Sequence, residues 1–158
     1  MTIVVSLDND DMNICRVLGN LRTLVARGNK VKDAKMGQLS GADIDEDGVI
    51  AEYAFCKRFN IFFDPCAYPR SGSIDCVYKG HQIDIKSTRH TNGRLLATLK
   101  KNDEVDIYVL AIIDGNEVRF PGWAYAKTLF DPANVTNLGH GEGYAMEQSQ
   151  LQKWKQND

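Results

Sequence analysis

The hydrophobic positions of the chain change period along its length, and the changes mark out its elements. From Asp11 to Arg27, apolar residues recur at the three-and-four spacing of one helical face, at Ile14, Val17, Leu18, Leu21, Leu24 and Val25. The acidic run Asp8–Asp11 offers N-caps and first-turn carboxylates, and Arg27-Gly28 offers a C-terminal charge and cap. This predicts a helix over 11–27. A basic loop with Lys30, Lys32 and Lys35 follows and turns acidic at Asp43, Asp45, Glu46 and Asp47, before a second helical pattern from about Gly48 to Asn60. Asp45 or Asp47 is the expected cap of that helix. Pro65, Pro69, Ser71 and Gly72 mark a loop. Beyond it the period falls to two: Ser73–Tyr78 and His81–Ser87 flank Lys79-Gly80 as the arms of a β-hairpin. Thr91–Lys101 fits either a strand or a short helix. Val105–Ile113 is a nearly continuous apolar run of the kind found in a strand covered on both faces. Asp114–Glu117 should turn it into a last strand at about Glu117–Phe120, with a short helix at about Trp123–Phe130 and a Gly- and Asn-rich tail.

The hairpin concentrates the chemistry. With Lys79-Gly80 as a two-residue turn, Tyr78 faces His81, Val77 faces Gln82 and Asp75 faces Asp84; facing residues project to the same side of the pair. Lys86 joins Asp75 and Asp84 on that side, while Ile74, Cys76, Ile83 and Ile85 form the opposite, core-facing side. Opposed carboxylates repel and require a cation. Lys86 supplies part of that charge, and a hard divalent ion such as Mg²⁺ fits two carboxylates while keeping positions for water and phosphate. On the second helix, Val49, Tyr53, Phe55, Cys56 and Phe59 fill one apolar arc, and Glu52 falls inside it. A Glu there lies near a rim or has a buried partner, a metal or a lysine, and it can reach the hairpin carboxylates from the face packed on the sheet.

A helix carrying Glu52, then Asp75, eight residues, and Asp84-Ile85-Lys86 resembles the PD-(D/E)XK, restriction-endonuclease-like nuclease superfamily. Ile83-Asp84-Ile85-Lys86-Ser87-Thr88, with Asp106-Ile107-Tyr108 and Pro121-Gly122-Trp123 downstream, is similar to small phage-encoded members; Ile74 stands where the motif has proline. The resemblance implies a restriction-endonuclease-like α/β core over about 48–120, a central mixed β-sheet flanked by helices. The helix at 11–27 is then an N-terminal addition and 121–158 a C-terminal extension of one domain spanning 1–158. It implies Mg²⁺- or Mn²⁺-dependent hydrolysis of DNA phosphodiester bonds. Asp75, Asp84 and the main-chain carbonyl of Ile85 would ligate the metal, Glu52 would be an auxiliary ligand, and Lys86 would orient or activate the attacking water.

Net charge first argues against a nucleic-acid partner: 19 Lys+Arg against 21 Asp+Glu give −2. Read by segment, the charge is uneven. Arg70–Lys101 holds seven basic residues against Asp75 and Asp84, and Arg16–Lys35 holds six against Asp33. Such patches suit a phosphate backbone tracked past a metal centre. Arg89, His90 and Arg94, then Lys100 and Lys101, are the expected DNA contacts. Two other readings compete: a non-catalytic DNA-binding or assembly module on the same fold, and a calcium-binding module. Asp43–Ile50 matches the first eight positions of an EF-hand loop, but its twelfth position is Ala54 rather than a bidentate Glu. The four cysteines show no metal-ligand or disulfide spacing, and no histidine pairs with a Ser or Cys as in a triad hydrolase. The apolar runs are too short for a membrane span, and residues 1–7 lack the basic start of a signal peptide. The expected setting is cytoplasmic (the host cytoplasm if phage-encoded), with DNA as partner and a homodimer left open beside a monomer.

Overall fold

The structure, a computed structural model, describes residues 1–28, 40–66 and 74–158. The basic-loop residues Lys30, Lys32 and Lys35, and the loop residues Pro69, Arg70, Ser71, Gly72 and Ser73, lie outside the described residues.

A five-stranded mixed sheet organises the chain. Its strands are β1 (Ile3–Ser6), β2 (Cys76–Tyr78), β3 (His81–Thr88), β5 (Ile107–Asp114) and β6 (Glu117–Tyr125), in the order β1-β6-β5-β3-β2. Only the β3–β5 pair is parallel. β4 (Leu95–Thr98), β7 (Val135–Asn137) and β8 (Glu142–Met146) form a separate antiparallel sheet, β4-β8-β7. Helices α1 (Asn9–Gly28) and α2 (Gly41–Phe59) cover one face of the large sheet. The other face is covered by the small sheet and the single helical turn α3 (Ala126–Leu129), so the two long helices share one side. β5, buried along Ile107–Ile113, lies between the two cores, which is why its sequence is apolar at every position.

Local chemistry explains where elements begin and end. Asp8 and Asp11 cap α1 reciprocally: the Asp11 N–H donates to Asp8 Oδ1 at 2.8 Å and the Asp8 N–H to Asp11 Oδ2 at 3.0 Å. α2 starts at Gly41, not Gly48, because Ser40 is its cap; Ser40 Oγ accepts from the Asp43 N–H at 3.2 Å and donates to the Asp43 carboxylate at 2.6 Å. Asp45 and Asp47 are therefore inside the helix, not at its cap. α2 ends on Asn60 in the left-handed region. The hairpin register is the expected one, Cys76 with Ile83, Val77 with Gln82 and Tyr78 with His81. Lys79 and Gly80 both have positive φ, 49° and 80°, the mirror-image turn that matches strand twist.

Of residues 91–101, Leu95–Thr98 form the strand β4, one of the two forms expected there, and two other expectations change. β6 continues through Pro121 to Tyr125, so Trp123–Tyr125 is strand and the helix after it is one turn. Pro121 is tolerated because Leu110 pairs with Gly122 and Ile112 with Arg119: β6 carries one residue more than β5 there, and a bulge does not need the missing N–H. Finally, α1 turns Asp11, Cys15, Gly19 and Thr23 inward. Its aliphatic stripe of Ile14, Val17, Leu21 and Leu24 is exposed.

Candidate active site

The candidate site forms where β2 stops pairing with β3. The ladder begins at Cys76, so Asp75 does not sit directly across from Asp84 in a strand pair. Its N–H donates to the Ile83 carbonyl at 2.8 Å and its Oδ2 accepts from the Ile85 N–H at 2.6 Å. The carboxylate thus takes the place of a strand on the β3 edge. With this break Ile74 leaves the helix-side core, where the period of two put it, and packs against the opposite core. Cys76, Ile83 and Ile85 remain on the helix side as expected. In a strand a residue's N–H and C=O point the same way, so the Ile85 carbonyl is aimed at this edge too. Among the described residues no strand pairs with β3 there.

Asp84 and Lys86 lie on the sheet face away from the helices. Lys86 Nζ lies 2.8 Å from Asp84 Oδ1 and 3.0 Å from Oδ2, with its side chain 39% exposed. Tyr108, the register neighbour of Asp84 on β5, is a buried residue of this face, and Lys86 Nζ sits 5.9 Å above its ring. Burial, then the Asp84 and Asp75 carboxylates, push the Tyr108 hydroxyl up to about 12, so it remains a neutral donor. Glu52 approaches from the other side. It is buried and paired with Arg22 of α1: Nη1 and Nη2 each donate to a carboxylate oxygen at 2.9 Å. Burial, followed by the Glu52 and Asp84 charges, raises the Asp75 pKa well above the usual carboxylate range. The Ile85 N–H and Lys86 oppose that shift without cancelling it.

The structure therefore brings Glu52, Asp75, Asp84, Ile85 and Lys86 to one sheet edge. Sequence reasoning missed Arg22 and Tyr108. A signal for Arg22 existed: Glu52 inside an apolar arc demanded a cation, and Arg22 lay outside the aliphatic stripe of the neighbouring helix. The expected DNA contacts are less uniform. Arg89 makes a two-pronged pair with Asp47 of α2, Nε to Oδ2 at 2.8 Å and Nη2 to Oδ1 at 3.0 Å, so much of its charge is spent on α2. Arg94 lies 3.8 Å from Glu147. His90, Lys100 and Lys101 are exposed. Lys101 Nζ stands 5.6 Å over the Phe130 ring and 5.8 Å over Tyr144, and Phe130 meets Tyr108 edge-on at 5.4 Å. An aromatic row thus runs from Lys86 to Lys101.

The EF-hand match does not form a calcium loop. Asp43–Gly48 is helical, Asp45 Oδ2 accepts from Thr23 Oγ1 at 2.6 Å, and Asp47 is held by Arg89. Cys15, Cys56, Cys66 and Cys76 are free thiols. Among the described residues no three His, Cys, Asp or Glu side chains cluster closely enough to hold a metal ion, and no helix is long and apolar enough to cross a membrane. A cavity of about 180 Å³ lies near the hairpin turn, lined by Tyr78, Ile83, Trp123 and Trp154, and none of the site carboxylates lines it.

The class defined this far is a mixed α/β chain with a carboxylate–lysine cluster at an open sheet edge. Comparison with known protein families, curated proteins and solved structures finds no match for this chain.

Proposed function

We propose that the protein is a metal-dependent endonuclease of the PD-(D/E)XK kind that hydrolyses DNA phosphodiester bonds. The observation carrying this reading is the meeting of Asp75, Asp84 and Lys86 at a strand edge where the Ile85 backbone is also presented. The donor chemistry fits Mg²⁺ or Mn²⁺: two carboxylates and a carbonyl are hard oxygen ligands, few enough to leave positions for water and phosphate oxygens. Asp75 offers Oδ1, since Oδ2 is engaged by the Ile85 N–H. Asp84, which here meets Lys86 Nζ at 2.8 Å, would be the second carboxylate to hold the ion. A bound divalent cation supplies charge neutralisation at the phosphate and acidifies a water.

The chain's own residues do the rest. Lys86, released from Asp84, places its ammonium beside the phosphate and stabilises the negative charge that grows on its oxygens. Glu52, committed to Arg22, acts as a positioning residue that keeps a guanidinium close to Asp75. Exposed Lys100 and Lys101 hold the DNA backbone through charge, and exposed His90 contacts it beside them.

Purified protein should nick or cut plasmid DNA with Mg²⁺ or Mn²⁺, and Asp84→Ala should reduce cleavage at least about 100-fold, the order lost with a key electrostatic group. Cleavage that survives chelation, or is unchanged in Asp84→Ala, overturns the reading. Salt-sensitive DNA binding without cleavage, indifferent to Lys86→Ala, would assign the chain to the non-catalytic alternative.

A further inference from the structure

α1 is built inside out for a helix packed on a globular core. Its fully buried residues are polar or small and repeat every four positions, Asp11, Cys15, Gly19 and Thr23, with Met12 and Leu18 half-buried against the core beside them. They allow close approach to α2: a Cβ placed on Gly19 would lie 2.7 Å from the Glu46 Cα. Four aliphatic residues face outward, with Ile14 46%, Val17 65%, Leu21 45% and Leu24 66% exposed. A contiguous stripe of this kind on one helix is an interaction surface rather than a scatter of single exposed side chains.

The spacing identifies its occupant. Ile14, Val17, Leu21 and Leu24 follow one another at intervals of three, four and three, the a/d seam of a two-stranded helical coil. Charge sets the orientation. Asp10 lies in line with the stripe at its N-terminal end, and Arg27 flanks its C-terminal end. Parallel packing would set Asp10 against Asp10 and align the two helix dipoles. Antiparallel packing sets the Asp10 end against the Arg27 end and opposes the dipoles. It also places Ile14 opposite Leu24 and Val17 opposite Leu21, so that the stripe is complementary to itself about a two-fold axis. We infer that the α1 stripe is the interface of a homodimer, two copies of this chain packed antiparallel through Ile14, Val17, Leu21 and Leu24. This inference is independent of the proposed nuclease activity.

Sedimentation equilibrium on the full chain should give twice the chain mass, and Leu21→Glu and Val17→Glu should each give the chain mass with an unchanged far-ultraviolet circular dichroism spectrum. Orientation is read by cross-linking in a Cys66→Ser background, which removes the exposed thiol. Under mild oxidation, Ile14→Cys with Leu24→Cys should form a covalent dimer, and Ile14→Cys alone should not. A wild-type chain that stays monomeric at its highest soluble concentration overturns the proposal, whether or not a peptide or lipid vesicle binds the stripe. So does a dimer that persists in both glutamate variants, while cross-linking by Ile14→Cys alone overturns the antiparallel arrangement.

Discussion

Replacing Arg22 with methionine tests the charge balance of the site through stability alone. The guanidinium meets both oxygens of Glu52 at 2.9 Å, and the two side chains are 15% and 9% exposed. Burial works against the Arg22 charge, but Glu52 and then Asp75 and Asp45 outweigh it, so the guanidinium is held above its ordinary pKa. Arg22→Met keeps most of the apolar stem and leaves Glu52 buried beside Asp75 without its cation. Breaking one side of a buried pair costs about 3–5 kcal/mol, whereas an exposed pair is worth at most about 1 kcal/mol. For a chain of 158 residues that corresponds to a melting temperature lower by about 6–20 °C. Urea denaturation at neutral pH, followed by fluorescence and circular dichroism together to check that the transition is two-state, measures the loss. The double variant Arg22→Met/Glu52→Gln removes both charges and should recover more than half of it, with the coupling read from the double-mutant cycle. A loss below about 1 kcal/mol, or a double variant no more stable than the single, would falsify the view that this pair is the buried counter-charge of the site.

Two further variants probe the same neighbourhood. Because the Asp75 pKa is raised in the folded state, the native protein binds more protons than the unfolded chain from pH 3.8 upward, and stability falls as the pH rises through that window. Asp75→Asn, which can still accept from the Ile85 N–H, should therefore be more stable than the parent at neutral pH in chelator, with the difference vanishing below pH 3.8; a parent more stable at every pH contradicts this. Gly19→Ala should destabilise although alanine is the better helix former by about 1 kcal/mol, since its Cβ would lie 2.7 Å from the backbone of Glu46 and overpacking costs about 1–3 kcal/mol. A melting temperature above the parent's would refute that sign.

What the sequence made legible was whatever a short-range rule determines. A two-residue turn with positive φ at both positions fixes hairpin register, so the Tyr78–His81 pairing follows from the turn residues and the period of two on either side. Helical angle alone put Glu52 among Phe59 and Cys56, and burial follows from that company. What stayed hidden depends on long-range choices. A period of 3.6 identifies the apolar face of α1 but not whether that face meets its own chain; Gly19 and Thr23, which pack inward, carry no strong hydrophobic signal. β6 passes Pro121 because its partner strand has one residue fewer there, a property of the pair rather than of either segment. β7 and β8 escaped notice in a Gly- and Asn-rich stretch because they are short: β8 is held by Tyr144 and Met146 in the core with Leu95, Ala97 and Tyr108, and β7 by its pairing to β8.

The same distinction orders the chemistry of the site. Sequence spacing collected three carboxylates and a lysine, and that inventory alone suits either a metal centre or a solvated strand face. The structure distributes the cations unevenly. Arg22 is committed to Glu52 and Lys86 to Asp84, while burial and then the Glu52 and Asp84 charges raise the Asp75 pKa against the one backbone N–H that it accepts. A face whose charges were merely surface pairs would leave each carboxylate hydrated, with an ordinary pKa. Here the carboxylate with the raised pKa is the one at the strand edge left unpaired among the described residues, beside the Ile85 backbone. On the proposed reading, an incoming cation would meet Asp75 there, with Asp84 as its second acceptor and Lys86 turned to a phosphate. Under the proposed function, the ion and the substrate complete one charge balance that the folded chain leaves short at Asp75.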